Sequence, residues 1–407
     1  MALLALFGIA AGTLLWRYWN MNESRKTQHR IASVLERTEK QPIERIAALD
    51  SVVQEYGDNS IIQRIGRYHL VQAHVEAKSD SVTLGAAVDQ YFAIDTTWLA
   101  HMTVASAFNE RHTMTASGIR HIDKALGGVR AMPKPEKASV EHWKRQKDEM
   151  IGHCELIRGG LLTTSGHPAE GIAALKRAVQ KLPDSHAAKL RLAQAWESTG
   201  SRDSALTAYY SVVRLRYDHP EAREAIGRIY RGTYRHADVG MVIDTLVSNA
   251  RERRKTVLLA DTLSRKAPEF SLRGLDGAEY SLESTKGKVV VMDIWATWCG
   301  PCRLKMPQLQ KAYDRFGHRE NVVFLAVSVD DDLELIPPFV EKAGYTFPVA
   351  HGGTTFGRKF GVEGIPTLFI IDRTGTIRYR ELGYSGVGDF ETELGWKIDR
   401  ALEFAAP

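Results

Sequence analysis

Cysteine is scarce in this chain of 407 residues. Of its three cysteines, Cys299 and Cys302 form a Cys-x-x-Cys motif, whereas Cys154 lies far away in a stretch with helical periodicity. This number excludes a disulfide scaffold, and a zinc site of four sulfurs is excluded because no second cysteine pair exists. We therefore predict no metal site and expect Cys154 to be a buried core thiol.

An excess of one charge is also missing. The chain has 54 Lys and Arg against 49 Asp and Glu, and its only dense basic run, residues 251–255, is interrupted by Glu252. Such a run is typical of a solvated helix face, so we predict no nucleic-acid partner. With 44% hydrophobic and 25% charged residues, the composition is that of a folded protein, and the length predicts two or three domains or a long linear array.

Long apolar runs are missing except at the N-terminus. Residues 2–16 are almost wholly apolar and are followed by Tyr18 and Trp19, as is typical near a membrane interface. A run of about 15 to 18 residues predicts a signal or anchor segment over residues 1–19. No basic residue precedes it and no clear cleavage site follows, which favours an uncleaved anchor. The basic residues after the run would leave the remainder in the cytoplasm, and a first helix of a cytoplasmic protein is the alternative.

The middle of the chain has little strand character. Between residues 31 and 257, apolar residues recur three and four apart, which predicts helices. Two prolines within residues 131–137 divide this part into a helical region over 30–131 and a second one over 138–255. No ligand-like spacing relates the histidines of the first region, and we expect ordinary surface or core residues at His101, His112 and His121.

A repeat of 34 residues occurs in the second helical region. Four positions recur at this distance: Gly166, Gly171, Leu175 and Ala178 correspond to Gly200, Ala205, Tyr209 and Val212. Over about residues 154–250 the pattern resembles the tetratricopeptide repeat, in which small residues let paired helices approach. The resemblance implies a concave surface that docks a partner protein. The alternative is a helical spacer that holds the C-terminal part away from the membrane.

The sequence pattern changes from helical to strand-like at Ala267. A hairpin is predicted over residues 267–282, with its turn at Asp276 and Gly277. A buried strand follows at residues 288–295, in which Asp293 interrupts the apolar run. This strand leads directly into the Cys-x-x-Cys motif, and a helix follows the motif.

This order of elements predicts the roles of the two cysteines. A cysteine at a helix N-terminus lies near unpaired backbone N–H groups, which stabilise its thiolate, so Cys299 is the expected nucleophile. The spacing places Cys302 one helical turn later, where it can attack a mixed disulfide formed by Cys299 and release the substrate. Gly300 gives the backbone of the first helical turn conformational freedom. Pro301 suits this turn because its backbone N–H groups have no partner within the helix, so the missing N–H of proline costs little.

Two motifs identify a family resemblance. The sequence Trp-Cys-Gly-Pro-Cys at residues 298–302 and Gly-Ile-Pro-Thr at residues 364–367 resemble thioredoxin. The Ala-Pro-x-Phe opening at residues 267–270 and the insert over 330–360 resemble the membrane-anchored TlpA/ResA-type thiol-disulfide oxidoreductases. The resemblance covers about 140 residues and implies a thioredoxin-fold domain over residues 264–407.

The resemblance also implies functions for further residues. Pro366 would be cis and face the disulfide, which leaves the backbone of Ile365 free to pair with an extended substrate strand. Asp293 would carry a proton to and from Cys302, with a pKa raised by burial. Trp298, Gly300 and Pro301 would contact the substrate. No cofactor is implied. The implied partners are extracytoplasmic protein thiols such as those of apocytochrome c, and a membrane thiol carrier.

Two features depart from the family pattern or suggest another site. Lys305 stands where many TlpA-type proteins carry Glu, and we expect it on a solvated helix face. The run Asp330-Asp331-Asp332 is expected to be a helix-capping loop rather than a calcium site.

The whole chain is thus predicted to be an α+β multidomain protein. It would comprise an N-terminal apolar anchor, an all-α helical-repeat region and a C-terminal α/β thioredoxin fold, on the extracytoplasmic face of a membrane. The basic residues after the anchor conflict with this location, and a cytoplasmic one is the alternative. The main hypothesis is a thiol-disulfide oxidoreductase that reduces protein disulfides. The alternative is a helical-repeat scaffold whose redox pair senses or locks a complex. A peroxiredoxin is disfavoured because Ala296 stands where the peroxidatic motif needs Thr.

Overall fold

A computed structural model describes residues 31–404, other than 32, 36, 39–40, 58, 112–113, 137, 234–237, 385 and 387. The predicted signal or anchor segment, residues 1–19, lies outside this part of the chain. Among the residues described, no helix is both long and apolar enough to cross a membrane. The described chain divides into two compact units, one of residues 31–215 and 220–243 and one of residues 244–404 with 216–219.

The first unit is helical, as predicted. Its helices are α1 Pro42–Glu55, α2 Ser60–Glu76, α3 Ser81–Phe92, α4 Trp98–Arg111, α5 Thr115–Ala131, α6 Val140–Thr164, α7 Pro168–Lys181, α8 His186–Ser198, α9 Arg202–Leu215 and α10 Pro220–Thr233. Helix α11, Val239–Ala260, begins in this unit and continues into the second. Side-chain caps start several helices: Asp80 accepts hydrogen bonds from backbone N–H groups of α3, Ser139 from α6 and Ser185 from α8.

The 34-residue period corresponds to a repeated turn between helices. Gly166 follows α6 and Gly200 follows α8, and their φ angles of +87° and +77° place both in the left-handed region. Small residues also bring α6 and α7 together, because a Cβ added at Gly159 would lie 2.5 Å from Leu175. The period therefore has a physical basis in helix pairs. The assignment to tetratricopeptide repeats stays a prediction.

Two histidines of this unit contact each other. Helices α4 and α5 pack together, and the Nδ1 atoms of His101 and His121 lie 2.9 Å apart, a contact that the sequence did not indicate between these two residues. Phe92 stacks on His121 with ring centroids 4.8 Å apart. Burial lowers the pKa of both imidazoles, that of His121 to about 4. His112 lies outside the described residues, and the described ones contain no group of three potential metal ligands.

Cys154 is buried in this unit, as predicted. Burial raises the pKa of its thiol to about 12. A thiol in that environment stays protonated and unreactive near neutral pH.

The second unit is built around a mixed sheet. Its strands are β1 Arg265–Lys266, β2 Ser271–Arg273, β3 Glu279–Ser281, β4 Val289–Trp295, β5 Val322–Ser328, β6 Val349–His351, β7 Thr367–Ile371 and β8 Thr376–Leu382. Its further helices are α12 Gly300–Phe316, α13 Ile336–Ala343, α14 Gly353–Lys359 and α15 Phe390–Glu403. The sheet order is β1-β8-β7-β4-β5-β6, and β2 and β3 form the separate predicted hairpin.

Strand β4 lies inside the sheet and positions the site. It pairs in parallel with β5 and antiparallel with β7, and all of its residues are buried. Buried strands flanked by helices explain its continuous apolar character. Its carboxyl end leads into the cysteine motif at the start of α12, as predicted from the sequence.

Candidate active site

The two cysteines lie at the N-terminus of α12 and form a disulfide. Their Cα atoms are 5.2 Å apart. Cys299 is the N-cap residue, and its Sγ accepts a hydrogen bond from the backbone N–H of Cys302 at 3.2 Å. Cys299 is 5% exposed and Cys302 is 0% exposed. Of the two sulfur-bearing residues, only Cys299 therefore reaches the surface.

The loop before β7 lies against Cys299. The peptide bond between Ile365 and Pro366 is cis, as the family resemblance implies. The Ile365 carbonyl oxygen is 3.7 Å from Sγ of Cys299. The structure thus brings together two segments that are more than sixty residues apart in the sequence.

Exposed apolar side chains accompany the cysteine. Trp298 is 54% exposed and directly precedes Cys299. Leu382 is 58% exposed, and a Cβ added at Gly364 would lie 3.5 Å from it. Sequence reasoning missed Leu382, although a large apolar residue at the end of a strand was a signal that could have found it. A side chain at Gly300 would meet no atom within 4 Å of its Cβ, so space does not require glycine there.

Asp330 holds the loop that precedes the motif. It is fully buried, and its carboxylate accepts hydrogen bonds from the Thr297 backbone N–H at 3.0 and 3.2 Å and from the Thr297 hydroxyl at 2.7 Å. The Ser328 hydroxyl donates a further one at 2.6 Å. The predicted helix-capping role holds for Asp332, which caps the 3-10 turn at Leu333–Leu335. Asp330 has a different role in this loop, because its buried carboxylate binds Thr297 instead.

Replacing Asp330 by alanine is expected to destabilise the C-terminal unit by about 3 kcal/mol, since it leaves buried donors of the loop without an acceptor. Urea unfolding followed by tryptophan fluorescence measures this loss. Asp331→Ala, at the exposed neighbouring position, is the control and should change the free energy of unfolding by less than about 0.5 kcal/mol. Equal effects of both substitutions would contradict the assigned role of Asp330.

A buried ion pair lies behind the disulfide. The ammonium of Lys305 is 2.6 Å from Oδ1 of Asp293, and both residues are 1% exposed. The expectation that Lys305 lies on a solvated helix face is therefore wrong. The reason is helical spacing: Lys305 is three residues after Cys302 and four before Leu309, and all three belong to the inner face of α12.

The environment of Asp293 favours its protonated form. Burial raises the pKa of this carboxyl, and the charge of Glu381 raises it further, whereas the nearby Lys305 ammonium lowers it. The second oxygen, Oδ2, is buried and has no hydrogen-bond partner among the described residues. A carboxylate oxygen in this state can accept a proton from a neighbouring acid.

The fold and this site define a thioredoxin-like redox domain with a disulfide at a helix N-terminus. Residues 262–394 match the family model described as Redoxin. The Thioredoxin-like protein YneN of Bacillus subtilis is 31% identical over 131 residues, which are 32% of this chain and 77% of that protein. The Thiol-disulfide oxidoreductase ResA of Geobacillus thermodenitrificans is 32% identical over 135 residues, 33% of this chain and 75% of that protein.

A solved structure is similar to about a third of the chain. A thiol:disulfide interchange protein of the thioredoxin family from Chlorobium tepidum is 28% identical, with a TM-score of 0.30, and the match covers 35% of this chain and 99% of that one. Through its C-terminal domain, the chain belongs to the family of ResA-like thiol-disulfide oxidoreductases. The enzyme class predicted from the sequence is thereby confirmed.

Proposed function

We propose that this protein reduces disulfide bonds of other proteins, with Cys299 as nucleophile and Cys302 as resolving thiol. The observation that carries the proposal is the unequal exposure of the two cysteines at the N-terminus of α12. Both residues are buried, but only Cys299 keeps some accessible surface at which it could meet a protein disulfide. Cys302 is positioned for the intramolecular step that follows.

The reaction then proceeds in two exchanges. The Cys299 thiolate attacks one sulfur of the substrate disulfide, and the other substrate sulfur leaves as a thiolate that takes a proton from water. Cys302 gives its proton to the Asp293 carboxylate and attacks Sγ of Cys299, which breaks the mixed disulfide. The second substrate sulfur leaves as a thiolate that takes a proton from water. The protein ends with the disulfide between its two cysteines, and another dithiol must supply two electrons to reduce it.

The substrate would lie across the exposed apolar surface around Cys299. Trp298 and Leu382 offer apolar contacts, and the backbone beside Pro366 offers pairing to an extended segment. Gly300 and Pro301 form the edge that faces the incoming chain. These features support a protein substrate in an unfolded or extended state, since a folded surface could not reach the sulfur. The thiols themselves perform the chemistry, so the proposal includes no cofactor.

The cellular setting belongs to the same proposal. The apolar N-terminal segment and the ResA-like relatives support an extracytoplasmic enzyme held at a membrane. Its substrates would be exported thiol proteins such as apocytochrome c, and a membrane thiol carrier would supply its electrons. The helices over residues 138–255 would dock a partner protein.

Reduction of insulin disulfides by the full chain, with dithiothreitol as electron source, tests the activity. We expect Cys299→Ser to reduce the rate to that of dithiothreitol alone, and Cys154→Ala to leave it unchanged because that buried thiol lies in the helical unit. The potential of the cysteine pair in glutathione or dithiothreitol buffers tests the direction of electron flow. A value near about −270 mV supports a reductase, whereas one near about −120 mV means that the protein forms disulfides instead.

A further inference from the structure

A row of residues crosses the sheet next to Asp293. In the register of the antiparallel strands, Asp293 of β4 is opposite Leu368 of β7, and Leu368 is opposite Glu381 of β8. Directly opposite residues direct their side chains to the same face of a sheet. Because adjacent strands lie about 4.8 Å apart, the backbones at Asp293 and Glu381 are separated by roughly 10 Å. Two carboxyl groups therefore share one face of the sheet.

Each carboxyl group of this row has its own lysine. Lys305 of α12 pairs with Asp293, and Lys397 of α15 pairs with Glu381. Lys397 is buried, although Glu381 is 35% exposed. At the start of α15, the ring of Phe390 lies 5.8 Å from the Lys305 ammonium. The sequence analysis singled out neither Glu381 nor Lys397.

The second pair faces a cleft, whereas the first does not. The cleft has a volume of about 470 Å³, and Glu381, Lys397 and Phe390 belong to its wall. Solvent in this cleft therefore meets Glu381 and Lys397, whereas Asp293 does not line the cleft. The charged groups that act on Asp293 are Lys305 from α12 and Glu381 from β8, and Lys397 from α15 is the ion-pair partner of Glu381.

We propose that Glu381 and Lys397 are positioning residues that together set the proton affinity of Asp293, the proton acceptor for Cys302. This inference rests on the proposed function. Within the outer pair, the negative charge of Glu381 raises the proton affinity of Asp293, and the ammonium of Lys397 acts in the opposite direction. Loss of one partner leaves the charge of the other uncompensated. At roughly 10 Å through a protein interior, one unit charge shifts a carboxyl titration by on the order of one pKa unit.

The titration of Asp293 in the reduced full-length protein tests this inference. Carbon-13 labelling of aspartate carboxyl groups allows nuclear magnetic resonance to follow it, and loss of one signal in Asp293→Asn identifies it. We expect Glu381→Gln to lower the titration midpoint by about one unit, because the Lys397 ammonium is then uncompensated. Lys397→Met is expected to raise it by about one unit, and the double variant should return it close to the original value.

The opposite signs of the two expected midpoint shifts distinguish an electrostatic effect on Asp293 from a general loosening of the protein core. Water that enters a loosened core would weaken the effect of burial and lower the midpoint in both single variants. Glu393→Gln is the matched control, since Glu393 lines the same cleft but pairs with Arg254. It should leave the midpoint unchanged. Unchanged midpoints in Glu381→Gln and Lys397→Met, or shifts of equal sign, would overturn the inference.

A kinetic measurement links the coupling to the reaction. The rate at which Cys302 resolves a mixed disulfide should depend on pH with a midpoint that moves down in Glu381→Gln and up in Lys397→Met. An unmoved kinetic midpoint beside a shifted carboxyl titration would overturn the role in catalysis. Failure of the proposed function and failure of the coupling remain distinguishable. Absence of insulin reduction would contradict the proposed function, whereas the carboxyl titration tests the coupling without any activity.

Discussion

Cys302→Ser is expected to retain a protein substrate on Cys299 as a stable mixed disulfide. The variant keeps the more accessible nucleophile but lacks the buried thiol that breaks the intermediate. Release must then wait for an external thiol, and losing the intramolecular attack should slow it by on the order of a thousandfold or more. Incubation of the reduced variant with a disulfide-bonded protein, followed by non-reducing electrophoresis, measures the trapped species.

The reciprocal variant is the control for this prediction. Cys299→Ser keeps Cys302, which is 0% exposed and so cannot meet a protein disulfide. It should trap no substrate, and a reducing agent should dissolve the complex formed by Cys302→Ser. Equal trapping by both variants would show that the exposure of the two cysteines does not decide their roles.

Lys305→Met is expected to have the second-largest effect, through the charge left behind in the core. Breaking a buried ion pair costs about 3 to 5 kcal/mol when the remaining charge has no partner. Asp293 can avoid part of this cost by binding a proton, since loss of the lysine raises the pKa of its carboxyl further. We therefore expect the substitution to cost little at low pH and several kcal/mol at high pH.

The direction of this pH dependence follows from linkage. A carboxyl whose folded pKa lies above its unfolded pKa contributes most to stability below the unfolded value of about 4. That contribution is lost as the pH rises through the folded value. Urea unfolding at pH 5 and pH 8 should thus show a larger loss for Lys305→Met at pH 8.

A double variant tests whether the pair acts as a unit. Asp293→Asn combined with Lys305→Met removes both charges, and replacing a buried ion pair by neutral groups is often neutral or stabilising. We expect it to recover most of the stability lost at pH 8, with catalysis still impaired because the proton acceptor is gone. The same loss for Lys305→Met at both pH values, or no recovery in the double variant, would contradict this account of the pair.

Features that lie within one stretch of chain could be predicted from the sequence alone. The strand that ends at Trp295, the cysteines that follow and the helix α12 are contiguous, so their order and the roles of Cys299 and Cys302 could be predicted from local pattern. The hairpin was predictable for the same reason, since Asp276 and Gly277 mark its turn. The helix caps and the 34-residue period likewise arise from short-range contacts.

Contacts between charges that are distant in the sequence could not be predicted and depend on the three-dimensional packing. Apolar periodicity along α12 could have placed Lys305 inward, but its pairing with Asp293 depends on how that helix packs on the sheet. The row from Asp293 to Glu381 requires β7 to lie between β4 and β8, and the contact of Asp330 with Thr297 joins residues 33 positions apart. These arrangements depend on strand order, register and helix packing, which local propensity does not specify. The local sequence pattern thus indicated which sulfur atoms react. The packing of the helices on the sheet determines which charged side chains surround Asp293, the proton acceptor.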